Sequence, residues 1–295
     1  MLNKLGIALV LCSLLLSACS NSATESNPNP TNQQQEAGES PSLAPENNQE
    51  EEIPPAAEEP DQLNQESAAP EDTNIPVEAP VERNYHMNSN YDIVPSEEGI
   101  EKKVVLLTFD DGPKEEAMLN DMLDTLDKYN ARAIFFVNGY RVKENPELLK
   151  LIHERGHTIG NHSWDHIELK NESKETVTQQ IVDVQNIVED TIGEKPMFFR
   201  PPHGAGGDVG KQVAKEHGLL YMTWSNGSLD WTMKASDTNT TEQIIENILS
   251  QLHAGSNILM HELPWTAEAL EELLNVLQEK GYSFVDPKAI EPEMR

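Results

Sequence analysis

Adjacent carboxylates close an apolar run in Thr108-Phe109-Asp110-Asp111-Gly112-Pro113, and further on two imidazoles stand four residues apart in Asn161-His162-Ser163-Trp164-Asp165-His166. Two histidines and one carboxylate are a common ligand set for a catalytic divalent metal with an open coordination position. Adjacent aspartates allow a division of labour, one binding metal while its neighbour stays free as a base. Taken alone, Asp-Asp-Gly-Pro reads as a turn with helix-capping aspartates. The i, i+4 spacing of His162 and His166 is expected to put both rings on one side of a helical turn, where a lone pair is more often surface decoration. Together in one chain, the two strings point to metal-assisted hydrolysis.

Such groups need a scaffold that converges on them. Short apolar runs at 104–109, 133–137, 157–160, 198–200, 219–223, 258–260 and 283–285 are predicted strands. Amphipathic stretches at 116–129, 146–155, 173–191, 207–217, 241–252 and 266–280 are predicted helices. Asn130, Gly156, Gly193, Gly218, Gly255 and Gly281 supply stop signals near their ends. Buried parallel strands alternating with helices imply an α/β fold, an open sheet or a barrel. The polar motifs follow strand ends: Asp110 and Asp111 the first, His162 the third, Arg200 the fourth, His261 the sixth. In a parallel barrel those ends share one face, where catalytic groups collect. About seven strands predict a distorted, incomplete (β/α) barrel.

The rest of the chain is of another kind. Residues 1–19 read as a secretory signal: Lys4 is followed by an apolar stretch too short for a comfortable membrane span. It ends in Leu16-Ser17-Ala18-Cys19, which resembles a bacterial lipobox, so a lipidated Cys19 and an extracytoplasmic, membrane-anchored protein are expected. Cys12 lies in the discarded segment, leaving the mature chain without disulfide or thiolate chemistry. Residues 20–82 hold fifteen acidic residues and no Lys or Arg. Such a segment cannot bury enough apolar surface to offset ordering entropy. A disordered tether over 20–100 is expected, its 20–82 part alone spanning about 45 Å, with the folded domain at 101–295. With fifteen negative charges in that stretch and one positive in the leader, residues 83–295 carry −16 of the net −30. That charge argues against nucleic acid or anionic lipid as partners and fits a neutral or cationic polymer.

Five motifs in order resemble the polysaccharide deacetylases of the NodB-homology type, carbohydrate esterase family four, over residues 104–287. The first is Thr108-Phe109-Asp110-Asp111-Gly112 and the second runs from His157 to His166. The third is Phe199-Arg200-Pro201-Pro202-His203-Gly204, the fourth ends in Asp230-Trp231, and the fifth is Ile258-Leu259-Met260-His261-Glu262. The resemblance implies that Asp110 is the general base and that Asp111, His162 and His166 hold a divalent metal. Zn²⁺ is the first choice, with Co²⁺, Mn²⁺ or Ni²⁺ also suited to the set. It implies that Arg200 pairs with Asp110 and that Asp230 orients His261, the acid that protonates the leaving amine. Substrate contacts are implied for Pro202, for the backbone N–H of His203, and for Trp231 and Leu259 around the acetyl group. His157 reads as structural. Three positions depart from the family pattern: His203 stands for Tyr, Gly227 for Asp, and Glu262 for Asp. His203 has an alternative reach toward metal or sugar, and Glu262 is expected to cap a loop or helix.

The implied activity is removal of N-acetyl groups from a cell-surface polysaccharide, with peptidoglycan N-acetylglucosamine as first substrate and a monomer as the expected form. The alternatives are an O-acetyl xylan esterase, a chitin or exopolysaccharide deacetylase, and a non-catalytic carbohydrate-binding pseudoenzyme.

Overall fold

The structure, a computed structural model, describes residues 81–295. The expected signal segment with Cys19, and the acidic stretch up to residue 80, lie outside the described residues.

Regular structure starts earlier than the expected boundary at residue 100. Strand β1 (Tyr85–Met87) pairs antiparallel with β2 (Ile93–Pro95) and parallel with a strand from the end of the chain. Met87 and Ile93 are buried. Residues 85–95 therefore belong to the folded part rather than to the tether, because two apolar anchors suffice to hold strands too short to show a period.

The main sheet follows. Its strands are β3 (Val104–Gly112), β4 (Ala133–Val137), β5 (Thr158–Asn161), β6 (Phe198–Phe199), β7 (Leu220–Tyr221), β8 (Asn226–Gly227) and β9 (Ser256–His261), with β10 (Ser283–Phe284) beside the start of β3. β11 (Ile290–Met294) is the partner of β1. The strand order is β7-β6-β5-β4-β3-β9-β8, and every pairing is parallel. The sheet curls into the expected distorted, incomplete (β/α) barrel, open between β7 and β8. The sequence reading lacks β8, β11 and the short helix α2 (Gly139–Glu144), none of which carries a recognisable apolar pattern.

The helices pack outside. They are α1 (Glu116–Lys128), α2, α3 (Pro146–Glu154), α4 (Lys174–Ile192), α5 (Gly207–Glu216), α6 (Thr240–Gln251) and α7 (Pro264–Glu279). α1 buries Leu119, Met122, Leu123 and Leu126, the spacing of one helical face, and Glu115 caps its first turn by accepting from Ala117 and Met118. α4 starts on the Ser173 cap and ends on Gly193 in left-handed conformation (φ 79°).

Strand periodicity of two sorts the core into layers. Val105, Leu107 and Phe109 of β3 face the helices, with Phe135 of β4 and Ile258 and Met260 of β9. Val104 and Leu106 turn inward with Ile134 and Phe136, and meet Met87, Ile93 and Ile290 of the small sheet. Continued toward the carboxyl ends of the strands, the inward set becomes Thr108 and Asp110 on β3, and Asn257, Leu259 and His261 on β9. The barrel interior thus passes from an apolar plug to polar chemistry along the same strands.

Candidate active site

Asp110 and Asp111 are neighbours, and in a regular strand they would face opposite ways. The β3–β4 register shifts between Asp110, opposite Phe136, and Gly112, opposite Val137, leaving Asp111 as the extra residue at φ 69°. This bulge re-aims the second carboxylate toward the first. Glu262 fills the space that a Cβ on Gly112 would need. Its Oε2 accepts the Lys114 backbone N–H at 3.0 Å. The expected capping role of Glu262 is thus directed at the loop carrying Asp111. Burial pushes the Glu262 carboxyl up to about 7.

His162 and His166 do not sit on a helical turn. The segment is a loop in which Ser163 and His166 take left-handed conformations, φ 66° and 57°. The rings still converge, with centroids 5.1 Å apart. The loop is held by Asn138, whose amide donates to the His162 carbonyl (2.9 Å), and by Asn161, whose Oδ1 accepts from Ser163 N–H (3.0 Å). Gln180 clamps Asp165 through its backbone N–H and its carboxylate, each at 2.8 Å.

Asp111, His162 and His166 place one ligand atom each within 4.8 Å of one another. The Arg200 carbonyl lies 2.6 Å from His162 Nδ1. A carbonyl only accepts, so the proton is on Nδ1 and the Nε2 lone pair faces the carboxylates. His162 Nε2 stands 3.5 Å and His166 Nε2 3.0 Å from Asp111 Oδ1, which is sealed from water without a well-formed hydrogen bond. Burial alone would push the Asp111 carboxyl up; with the facing imidazoles protonated, their charge and hydrogen bonds outweigh that and hold it well below the usual carboxylate range. A lone pair and an orphaned carboxylate oxygen pointing at one spot fit a cation there.

Asp110 is buried and held from the other side. Arg200 Nη1 donates to Asp110 Oδ1 at 2.7 Å and to Thr108 Oγ1 at 2.8 Å. The rest of the guanidinium is matched by the Thr223 carbonyl, which accepts from Nε (3.1 Å) and Nη2 (2.8 Å), and by Asn257 Oδ1 (3.2 Å); the Phe136 ring lies beneath it. Asp110 Oδ2 remains turned toward His162 Nε2, 3.6 Å away.

Across the site, Asp230 is fully buried. His261 Nδ1 donates to its Oδ1 at 2.7 Å, while its Oδ2 accepts from the His261 backbone N–H and the Thr266 hydroxyl, both at 2.7 Å. Burial lowers the His261 pKa, but the Asp230 hydrogen bond and charge, with the charges of Asp110 and Asp111, raise it overall. Trp231 stands edge-on to His261 (5.5 Å) and 44% exposed at the lip, with buried Leu259 below. Pro202 is buried. His203 is exposed at φ 57°, its ring edge-on to His166 at 4.8 Å. Among the described residues nothing accepts the His203 backbone N–H. His157 is a core residue: Ala133 N–H donates to its Nδ1, and burial lowers its pKa to about 4.

All the sequence-predicted site residues among those described thus gather at one end of the barrel. Sequence reasoning missed Thr108, Thr223, Asn257 and Thr266, which hold the charged groups in place. Asn257 carried a signal, being a polar residue in register with Leu259 and His261 on an otherwise apolar strand.

Residues 98–222 match the family model for polysaccharide deacetylase. A peptidoglycan-N-acetylglucosamine deacetylase of Bacillus cereus is 34% identical over 190 residues, 62% of this chain and 86% of the relative. The peptidoglycan-N-acetylglucosamine deacetylase PgdA of Listeria monocytogenes serotype 1/2a (strain 10403S) is 40% identical over 184 residues; the match spans 62% of this chain but only 38% of that longer relative. Among solved structures, the peptidoglycan deacetylase PdaC of Bacillus subtilis superposes with a TM-score of 0.56 at 35% identity, over 63% of this chain and 88% of the other.

Proposed function

The chain belongs to the polysaccharide deacetylase family, and from that membership we propose that its folded domain hydrolyses N-acetyl groups of a cell-wall polysaccharide, with peptidoglycan N-acetylglucosamine as substrate. The observation that carries this reading is the division of the site into two halves. A carboxylate held by a guanidinium faces the three-ligand cluster on one side, and a histidine–aspartate pair faces it on the other.

Asp111, His162 and His166 would hold a divalent ion, with zinc as first choice for two imidazoles and a carboxylate, and that ion would supply Lewis acidity for the attack of water on the acetamide. Asp110 takes the proton from that water through Oδ2, the oxygen that Arg200 leaves free. The His203 N–H offers a donor to the oxyanion that develops. His261 keeps Nδ1–H on Asp230 and gives the proton of its other nitrogen to the leaving amine. Leu259 and Trp231 offer the acetyl methyl an apolar wall, and Pro202 shapes the loop beneath. The products are acetate and a glucosamine unit still in its polymer.

The same proposal places the domain on the extracytoplasmic face of a membrane, anchored through lipidated Cys19 and separated from it by the acidic stretch. Labelling the full chain with a radioactive fatty acid, with and without Cys19→Ser, tests the anchor: label on wild type alone supports it, and label on both or neither contradicts it. The activity is tested by acetate release from peptidoglycan, chitooligosaccharide and acetylated xylan. Release from peptidoglycan supports the reading; release from xylan alone makes the chain an O-acetyl esterase, and sugar binding without release makes it a pseudoenzyme.

A further inference from the structure

β9 ends on His261, which turns inward to the site; Glu262, next in the chain, is buried against the Asp111 loop instead. Its contacts fall on both flanks of the bulge that re-aims Asp111. The Glu262 backbone N–H donates to the Asp110 carbonyl at 3.2 Å, one residue before the bulged position. Its Oε2 accepts the Lys114 backbone N–H at 3.0 Å, three residues after it. Between these two contacts the carboxyl lies against Gly112, in the space that any Cβ there would take. The bare glycine is what permits so close an approach. Glu262 Oε1 is sealed from water there with no hydrogen bond, an arrangement that costs stability.

The middle of the bulge is held by another strand end. The Asn138 backbone N–H donates to the Gly112 carbonyl at 3.1 Å, and the Asn138 amide donates to the His162 carbonyl at 2.9 Å. Asp111 is left at φ 69°, a left-handed conformation that the surrounding contacts must hold in place. Its Oδ1 has no well-formed hydrogen bond of its own. The direction of this carboxylate is therefore set by its backbone, and the backbone is set by Glu262 and Asn138. Partners of this kind, which orient a ligand without touching the ion, govern how tightly a metal is held.

We propose that Glu262 is a positioning residue for the candidate metal site: by gripping the chain at Asp110 and Lys114 it holds the bulge that points Asp111 at the ion, and so sets the affinity of the site. The inference rests on the ligand cluster of the deacetylase reading. It gives two adjacent residues two tasks, His261 the proton and Glu262 the metal ligand, and links the two halves of the site through one peptide unit.

The test measures zinc affinity of the full chain by competition with a chelator, and the visible absorption of the cobalt-loaded chain, so that turnover does not enter. Glu262→Ala is expected to weaken zinc binding by about ten- to a hundredfold and to change the cobalt spectrum. Glu262→Gln, which keeps an acceptor for the Lys114 N–H, should restore both to wild-type values. Gly112→Ala attacks the same contact from the other side, because its methyl displaces the carboxyl, and should weaken zinc binding as well. Since the two groups compete for one space, the Gly112→Ala, Glu262→Ala double variant should lose no more than the worse single variant. Unchanged zinc affinity in Glu262→Ala, even with a lower urea midpoint, marks the residue as merely structural and overturns the proposal. An equal loss in Glu262→Ala and Glu262→Gln also overturns it, since charge rather than the grip on the loop would then be acting. Should Glu262→Ala fail to fold, Gly112→Ala beside Glu262→Gln decides: loss in the first alone supports the proposal, and any other pattern overturns it. A wild type that binds zinc but releases no acetate from peptidoglycan defeats the deacetylase reading and leaves the positioning role standing. Acetate release with zinc affinity indifferent to Glu262 does the reverse, and a wild type that binds neither ion defeats both.

Discussion

Arg200 reaches Asp110 at 2.7 Å with its guanidinium wholly buried, and each further donor of that guanidinium meets an oxygen of Thr108, Thr223 or Asn257 or the sulfur of Met222. A buried ion pair of this kind contributes little beyond a well-packed apolar alternative, but breaking it by removing one partner is costly. Arg200→Met is therefore expected to lower unfolding free energy by about 3–5 kcal/mol in urea titration. The freed Asp110 also loses its fixed position, so kcat should fall by about a hundredfold. Full stability in the variant would contradict the pair's structural role.

The His261–Asp230 pair sets a pH limit. The His261 pKa is raised above its ordinary 6.5, so its protonated form strengthens the fold below the unfolded value, and that contribution is lost as pH rises through the raised value. The acid function disappears in the same interval. The alkaline limb of kcat against pH should therefore shift to lower pH in Asp230→Asn, which keeps the shape but removes the charge. A limb unmoved by that substitution would take the acid role from His261.

Glu262 works in the opposite sense. A carboxyl raised from 4.5 to about 7 binds its proton more tightly in the folded chain. Its contribution therefore weakens the fold progressively as pH climbs between those values, by about 3 kcal/mol in all. Glu262→Gln retains an acceptor for the Lys114 N–H and removes the titration. Urea midpoints measured from pH 4 to 8 should decline less steeply in the variant; parallel curves would contradict the assignment.

How much of this was legible beforehand follows from the kind of information each feature needs. Asp110, Leu259 and His261 could be placed because strand periodicity and apolar content are local, and the motifs end predicted strands. The turn of Asp111 could not: it arises from one unpaired residue in the register between β3 and β4, a property of two strands together. Spacing predicts a helical turn for the histidine loop, whereas Ser163 and His166 take left-handed conformations in a loop held by the adjacent Asn161 and by Asn138 and Gln180 from two other segments. β1, β2 and β11 are short strands that exist through pairing across the whole folded part, and no local pattern records that.

The ligand cluster predicts a response that does not depend on turnover. Zinc at a hundred times its dissociation constant should stabilise the folded chain by about 2.7 kcal/mol, seen as a rise in melting temperature. Asp111→Asn and His162→Ala should lose most of that rise. An equal rise in both variants would place the ion elsewhere.

The central claim is that Asp110 serves as base beside a metal held by Asp111, His162 and His166. The direct measurement is acetate released from peptidoglycan by metal-stripped full chain, before and after zinc is restored, alongside Asp110→Asn under the same conditions. The account predicts release only with zinc restored, and a fall of at least about a hundredfold in the variant with zinc still bound. Release that survives metal removal, or an Asp110→Asn chain as active as wild type, would contradict it.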